Sequence, residues 1–224
     1  MAIEVKICGL TDPDEARACA EAGADAIGLV FHPPSPRNLE IERARAISDR
    51  LPPRVARVGV FADADADTML RIAAAAGLTA LQLHGPGSLA ALPRLLGAPY
   101  RVIAVLRSTA GLIQAAQALP ATVGLLVECG RGVLPGGNGA VWEWAAAAPL
   151  AALRPFALAG GLSPDTVVGA VRDARAAAVD ISSGVESSPG RKDVALVRLL
   201  VSRLTAACVG LPGPADSVFR SANR

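Results

Sequence analysis

The sequence predicts one α/β domain, a single (β/α)8 TIM barrel with eight parallel strands, on three observations. Short apolar runs rich in Val, Ile and Leu recur eight times, at intervals of roughly 22 to 32 residues. A helix-like stretch fills each interval. Aromatic residues make up only 3% of a chain that is 52% hydrophobic, and much of the remainder of that share is alanine. Continuous apolar strands alternating with amphipathic helices indicate parallel strands buried on both faces and joined by right-handed crossovers. Small-faced helices pack closely on such a sheet, whereas a β-sandwich calls for more aromatic and β-branched strands. An open doubly wound sheet is the alternative. No unit carries a G-x-G-x-x-G turn after its strand, which weakens it.

In order, the expected strands are Ile3–Cys8, Ala26–Phe31, Val55–Phe61, Ala80–His84, Arg101–Leu106, Val123–Glu128, Pro155–Ala159 and Ala178–Ser182. The expected helices are Pro13–Ala22, Ile41–Arg50, Ala64–Ala76, Ser88–Leu96, Leu112–Ala118, Trp142–Leu153, Pro164–Asp173 and Val194–Ala206. Thr11-Asp12-Pro13 sets a cap residue before a proline, and Ser163-Pro164-Asp165 reads the same way. A chain of 224 residues is long enough for one large domain with a full core. Residues 1–208 are assigned to the barrel. Residues 209–224 contain Gly210, Pro212, Gly213 and Pro214 without periodicity, and read as a flexible C-terminal tail outside it.

Composition narrows the partners. The net charge is +2 and no segment concentrates Lys or Arg, which argues against nucleic acid. No run approaches the roughly 18 apolar residues of a membrane span, and the first residues enter a strand pattern without a secretory signal. Cys8, Cys19, Cys129 and Cys208 lack metal-ligand spacing and read as reduced thiols in the cytoplasm. Positive charge is almost all arginine: Lys6 and Lys192 stand against 20 arginines. A lysine kept in such a chain suggests a place where a compact ammonium is wanted. A small molecule is the expected partner, and the chain is expected to be a monomer or homodimer.

A barrel of this kind carries its site at the C-terminal ends of the strands. Strand one ends Lys6-Ile7-Cys8-Gly9, so Lys6 and Cys8 share one face and Val5 and Ile7 the other. If Val5 and Ile7 meet the helices, Cys8 enters the barrel mouth, although a free cysteine is most often a small buried hydrophobe. Asp180 shares the inward parity on strand eight, beside strand one, and should pair with Lys6. Strands seven and eight lead into Gly160-Gly161 and Ser182-Ser183-Gly184, glycine turns where bare N–H groups can hold a phosphate. A proline-stiffened loop after strand two holds out Arg37, a fork suited to a carboxylate. Gln82 and His84 share a face at the end of strand four.

Together these segments resemble the phosphoribosylanthranilate isomerase family. The matching strings are KICGLT from Lys6, GADAIGLVF from Gly23, SPR from Ser35, VGVF from Val58, LQLHG from Leu81, LPGGNG from Leu134, LAGGL from Leu158, and VDISSGVE from Val179 with PGRKD from Pro189. They occur in order up to about residue 205. The resemblance implies an Amadori rearrangement of a phosphorylated aminoaldose in tryptophan biosynthesis, with no metal or cofactor. It implies Cys8 as general base and a general acid at the end of strand six. Arg37 and His84 would meet the substrate, with Asp180 near it, and Gly160, Gly161, Ser183 and Gly184 would hold its phosphate. The sequence departs from the family's pattern at the acid, where Glu128 stands for the family's aspartate. Trp142-Glu143-Trp144 replaces the family's aromatic-Asp-Trp, and Thr166 its frequent asparagine. A related synthase would need more catalytic lysines and an epimerase metal-binding histidines, and His32 and His84 are the only histidines. The other reading is a related phosphate-binding barrel that is non-catalytic or altered in specificity.

Overall fold

Side-chain alternation along eight strands decides the architecture. In the computed structural model, which describes residues 3–129, 142–207 and 217–220, the strands close into a parallel barrel. They are β1 (Glu4–Cys8), β2 (Ala26–Phe31), β3 (Ala56–Phe61), β4 (Ala80–Leu83), β5 (Arg101–Arg107), β6 (Gly124–Glu128), β7 (Phe156–Ala159) and β8 (Ala178–Ile181). β1 pairs with β2 on one side and β8 on the other, which shuts the sheet on itself. Each strand falls within a residue of its apolar run. Outward residues such as Val5, Ile7, Ile27, Leu29, Leu81 and Leu125 join the helices in the main core. Inward residues, among them Val58, Ile103, Val105 and Leu126, form a second apolar cluster inside the barrel.

The helices are α1 (Pro13–Glu21), α2 (Ile41–Arg50), α3 (Ala66–Ala76), α4 (Gly85–Leu89), α5 (Leu92–Leu95), α6 (Leu112–Ala118), α7 (Val167–Ala174) and α8 (Val194–Ala207). Asp12 caps α1, its carboxylate accepting from the Asp14 and Glu15 amides, with Pro13 at the first position. Among the described residues no helix is long and apolar enough to cross a membrane.

Four expectations need correction. The single helix over Ser88–Leu96 is instead α4 and α5, because Pro93 has no N–H and its ring crowds the carbonyl of Leu89. The helix over Trp142–Leu153 is a 3-10 helix, Trp144–Ala152, with Pro149 inside it. Ser163 does not cap a helix at Pro164; α7 starts at Val167. The Thr166 hydroxyl accepts from the Ser163 amide and donates to the Gly161 carbonyl, which holds residues 161–166 in a turn. Finally, the described part of the segment read as a tail lies in the barrel, with Val218 and Phe219 buried inside it. A short hairpin of β9 (Glu186–Ser188) and β10 (Arg191–Lys192), turning at Gly190, was not foreseen.

At the centre of the barrel Lys6, fully buried, donates to Asp180 Oδ1 at 2.8 Å. The two are register partners on β1 and β8, as their shared parity requires. Burial alone would depress the Lys6 ammonium, but Asp180, with Cys8 behind it, outweighs burial and holds it above its usual 10.5. The pair's stability is therefore present in full below pH 10.5 and is lost as pH rises through the raised folded value. Asp180→Ala leaves a buried ammonium without its partner and should cost about 3–5 kcal/mol of stability at neutral pH. Urea unfolding measures this directly; a loss below about 1 kcal/mol would mean that Lys6 finds solvent or another anion.

Candidate active site

The strands' C-terminal ends surround one cavity, and all nine residues singled out from the sequence line it. β1 supplies Cys8 and the loop after β2 supplies Arg37. β4 leads into His84, and β6 ends on Glu128. The turn after β7 supplies Gly160 and Gly161, while β8 and the turn beyond it supply Asp180, Ser183 and Gly184. The LPGGNG string from Leu134 lies outside the described residues.

Cys8 is partly buried at the rim, and the Ser182 hydroxyl donates to its carbonyl at 3.0 Å. Its neighbour on β2 is Gly28, and the glycine is needed. A Cβ there would stand 2.7 Å from Cys8 Sγ and 3.0 Å from Lys6 Nζ. Burial pushes the Cys8 thiol above its usual 9.0, and Asp180 adds to the rise. Lys6 and Lys192 pull in the other direction without cancelling it. The two lysines of the chain thus both act on one thiol.

Lys192 is almost wholly buried. Its ammonium donates to Glu186 at 2.6 Å and to the Ser182 carbonyl at 3.2 Å. Burial lowers it from 10.5 despite Glu186. Glu186 in turn takes a forked pair of hydrogen bonds from Arg37, Nε at 2.8 Å and Nη2 at 2.6 Å. Burial would raise the Glu186 carboxyl, but Arg37 and Lys192 outweigh it and hold it low. Those bonds to Glu186 also hold the Arg37 guanidinium above its ordinary value. Arg37 is therefore not held out by its loop as expected. It folds back onto the β9–β10 hairpin and is pinned there by a carboxylate 149 residues away.

Across the mouth, three strands from β1, Glu128 is buried and its Oε1 lies 2.9 Å from His84 Nε2. Arg107 approaches the same oxygen at 3.6 Å. A carboxyl and an imidazole at this distance have the chemistry to deliver a proton into the cavity. Beneath His84, Gln82 is buried and its Oε1 has no hydrogen-bond partner among the described residues. A ligand hydroxyl could satisfy it.

The turn after β7 is tied from behind. The Trp142 indole donates to the Ala159 carbonyl at 3.0 Å, Trp144 to Gly160 at 3.1 Å, and Thr166 to Gly161 at 3.0 Å. In a trans peptide the N–H points opposite to the C=O. Turning three carbonyls towards residues outside the cavity leaves the amides of 160, 161 and 162 facing the other way, an arrangement suited to an anion. Gly160 and Gly161 have φ of 89° and 70°, left-handed values that a side chain would resist. Thr166, which stands where the family often has asparagine, and the two tryptophans thus brace this turn. Among the described residues no three His, Cys, Asp or Glu side chains converge as metal ligands.

Sequence reasoning missed Glu186 and Lys192 as site residues. The scarcity of lysine was a signal for Lys192. Nothing local marked Glu186, whose partners come from distant segments.

This fold and this mouth define a (β/α)8-barrel enzyme whose site is built from the ends of its strands. Residues 5–203 match the family model described as N-(5'phosphoribosyl)anthranilate (PRA) isomerase, and the chain belongs to that family. Among curated proteins it is 42% identical over 205 residues to the N-(5'-phosphoribosyl)anthranilate isomerase of Desulfatibacillum aliphaticivorans, covering 92% of this chain and 94% of that one. Among solved structures it resembles the phosphoribosyl anthranilate isomerase of Thermotoga maritima, with a TM-score of 0.83, 33% identity and coverage of 91% and 99%. A phosphoribosyl anthranilate isomerase solved in complex with reduced 1-(o-carboxyphenylamino)-1-deoxyribulose 5-phosphate aligns at a TM-score of 0.77 and 31% identity, covering 91% of this chain and 99% of that one.

With its thiol raised above 9.0, Cys8 gains thiolate only as pH climbs, so its alkylation by iodoacetamide should accelerate well into the alkaline range. Lys192→Met removes a charge that favours the thiolate and should move the profile to still higher pH. Peptide mapping of the Cys8 adduct reads both, and coincident profiles would show that Lys192 does not act on the thiol.

Proposed function

We propose that this chain catalyses the Amadori rearrangement of N-(5-phosphoribosyl)anthranilate to 1-(2-carboxyphenylamino)-1-deoxyribulose 5-phosphate, a step of tryptophan biosynthesis. The observation that carries this reading is the meeting, across one cavity, of the Cys8 thiol and the Glu128 carboxyl, flanked by Arg37 and two glycine turns. Family membership supplies the substrate. The roles of the residues follow from their chemistry.

Glu128, positioned by its contact with His84, protonates the furanose ring oxygen. The C1′–oxygen bond breaks and the nitrogen lone pair forms a Schiff base. Cys8, as thiolate, takes the C2′ proton, and the electron pair moves towards the protonated imine to give an enol-amine. Tautomerisation yields the ketone. The iminium is the electron sink, so these residues need only move protons. The Nη1 edge of Arg37, which makes no hydrogen bond among the described residues, receives the anthranilate carboxylate while Nε and Nη2 stay on Glu186. The turns at Gly160–Gly161 and Ser183–Gly184 take the phosphate. Lys6 and Lys192 favour the thiolate and offset part of the effect of burial, and Asp180 keeps Lys6 in place.

The longer acid is accommodated by its partner. Glu128 reaches His84 at 2.9 Å, and removing one methylene withdraws the carboxyl by on the order of 1 Å.

A fluorescence assay with freshly made phosphoribosylanthranilate tests the activity, and absence of turnover would favour a non-catalytic barrel. Cys8→Ser should fold normally and lose most of kcat, because a hydroxyl is a far weaker base; near-normal turnover would end the role given to Cys8. Glu128→Gln should lose roughly 100-fold or more in kcat, since an amide is no acid. Glu128→Asp restores the residue of the family's pattern but breaks the bond to His84, and is expected to be slower than the parent. A faster aspartate enzyme would mean that His84 plays no part in placing the acid.

A further inference from the structure

The end of the barrel away from the site is closed by residues beyond the family match, which stops at 203. Barrel interiors are usually layered with bulky branched side chains. Here the inner residues nearest the strand starts are Ala26, Ala56, Ala80, Ala157 and Ala178, and such small side chains leave the floor underfilled. Val218 and Phe219 occupy that space, 1% and 0% exposed, and belong to the same apolar cluster.

Polar contacts fix the segment as closely as the apolar ones. Glu4, on the inner face of β1, accepts from the Ser217 hydroxyl at 2.5 Å, the Val218 amide at 2.8 Å and Arg220 Nη2 at 3.1 Å. Arg101, at the start of β5, donates to the carbonyls of Ser217 and Val218 at 3.1 Å each. An acidic and a basic side chain thus read the backbone of the segment from two sides of the floor. β6 makes room for it: a Cβ on Gly124 would stand 2.7 Å from the Val218 carbonyl oxygen. A glycine in a strand interior is otherwise a weakness, and a close backbone approach is a standard reason for one.

We propose that the barrel floor is a docking site for a short Ser-Val-Phe-Arg segment, and that residues 217–220 fill it in the same chain as a fixed plug. Nine residues separate Ala207 from Ser217, a reach of up to about 33 Å when extended. A helix is only about 10–12 Å across, so the chain leaving α8 can pass beneath the helical layer to the barrel axis. The plug holds Glu4, and Glu4 stands on the same inner face of β1 as the buried Lys6. A filled floor therefore keeps water from the ion pair from below.

Amide hydrogen exchange on the full chain tests this. Exchange at 217–220 should be slowed by about 100-fold or more relative to an unstructured peptide, and the protection should not change with protein concentration. Gly124→Ala pushes on the Val218 carbonyl and should speed exchange at 217–220 at least about tenfold. Phe219→Ala should do the same and lower Tm by several degrees while kcat stays within about twofold, because the site lies at the other end of the strands. Unprotected amides at 217–220 in the parent chain, or protection unaffected by both substitutions, would overturn the plug. Protection that fades on dilution would also overturn it, and would assign the floor to a second copy's segment.

Discussion

The ion pair between Lys6 and Asp180 is the constraint on which the rest of the structure depends. It fixes the register between the first and last strands, where the barrel closes, and it does so with a charge that has no exit to solvent. Side chains alternate with a period of two, so a slip of one residue would turn every inward group of β1 outward. Glu4, Lys6 and Cys8 all lie on that inward face. Each meets a different part of the molecule: Glu4 the segment at the floor, Lys6 the neighbouring strand β8, and Cys8 the cavity. One register therefore sets the floor, the centre and the reactive rim together.

The site places the Cys8 thiol, the proposed base, between opposing effects of burial and charge. A thiol at the edge of an apolar barrel is raised by desolvation, which works against its use as a thiolate. Lys6 below and Lys192 beside it oppose that rise, and neither can leave because each is held by its own carboxylate. Glu128, the proposed acid, is treated differently. It lies between Arg107 at 3.6 Å and His84 at 2.9 Å, and its added length is taken up by the contact with His84. Arg37 is prearranged by Glu186, so the carboxylate docking proposed for it would cost little side-chain freedom.

What could be read in the sequence was what repeats or alternates. The eight apolar runs mark the strands because buried parallel strands have no polar face to interrupt them. Parity alone brought Lys6 to Asp180, and strand ends collected the candidates around one cavity. What escaped was decided by contacts between distant segments. Glu186 looked like one more acid in a turn until the β9–β10 hairpin carried it to Arg37. Val218-Phe219 is too short an apolar pair to stand out among prolines and glycines, and its partners Glu4 and Arg101 lie far away in the chain. Proline misled twice, at Pro93 and Pro149, where the apolar pattern suggested a regular helix that the missing N–H forbids.

Because the chain has only two lysines, labelling them with nitrogen-15 should give two side-chain signals, one for each half of this arrangement. Following both through an alkaline titration tests the central ion pair most directly. Lys6, raised by Asp180, should keep its ammonium beyond pH 10.5, while Lys192, lowered by burial, should lose its proton first. Loss of the Lys6 proton before that of Lys192, or below 10.5, would contradict a barrel closed on a permanently charged lysine.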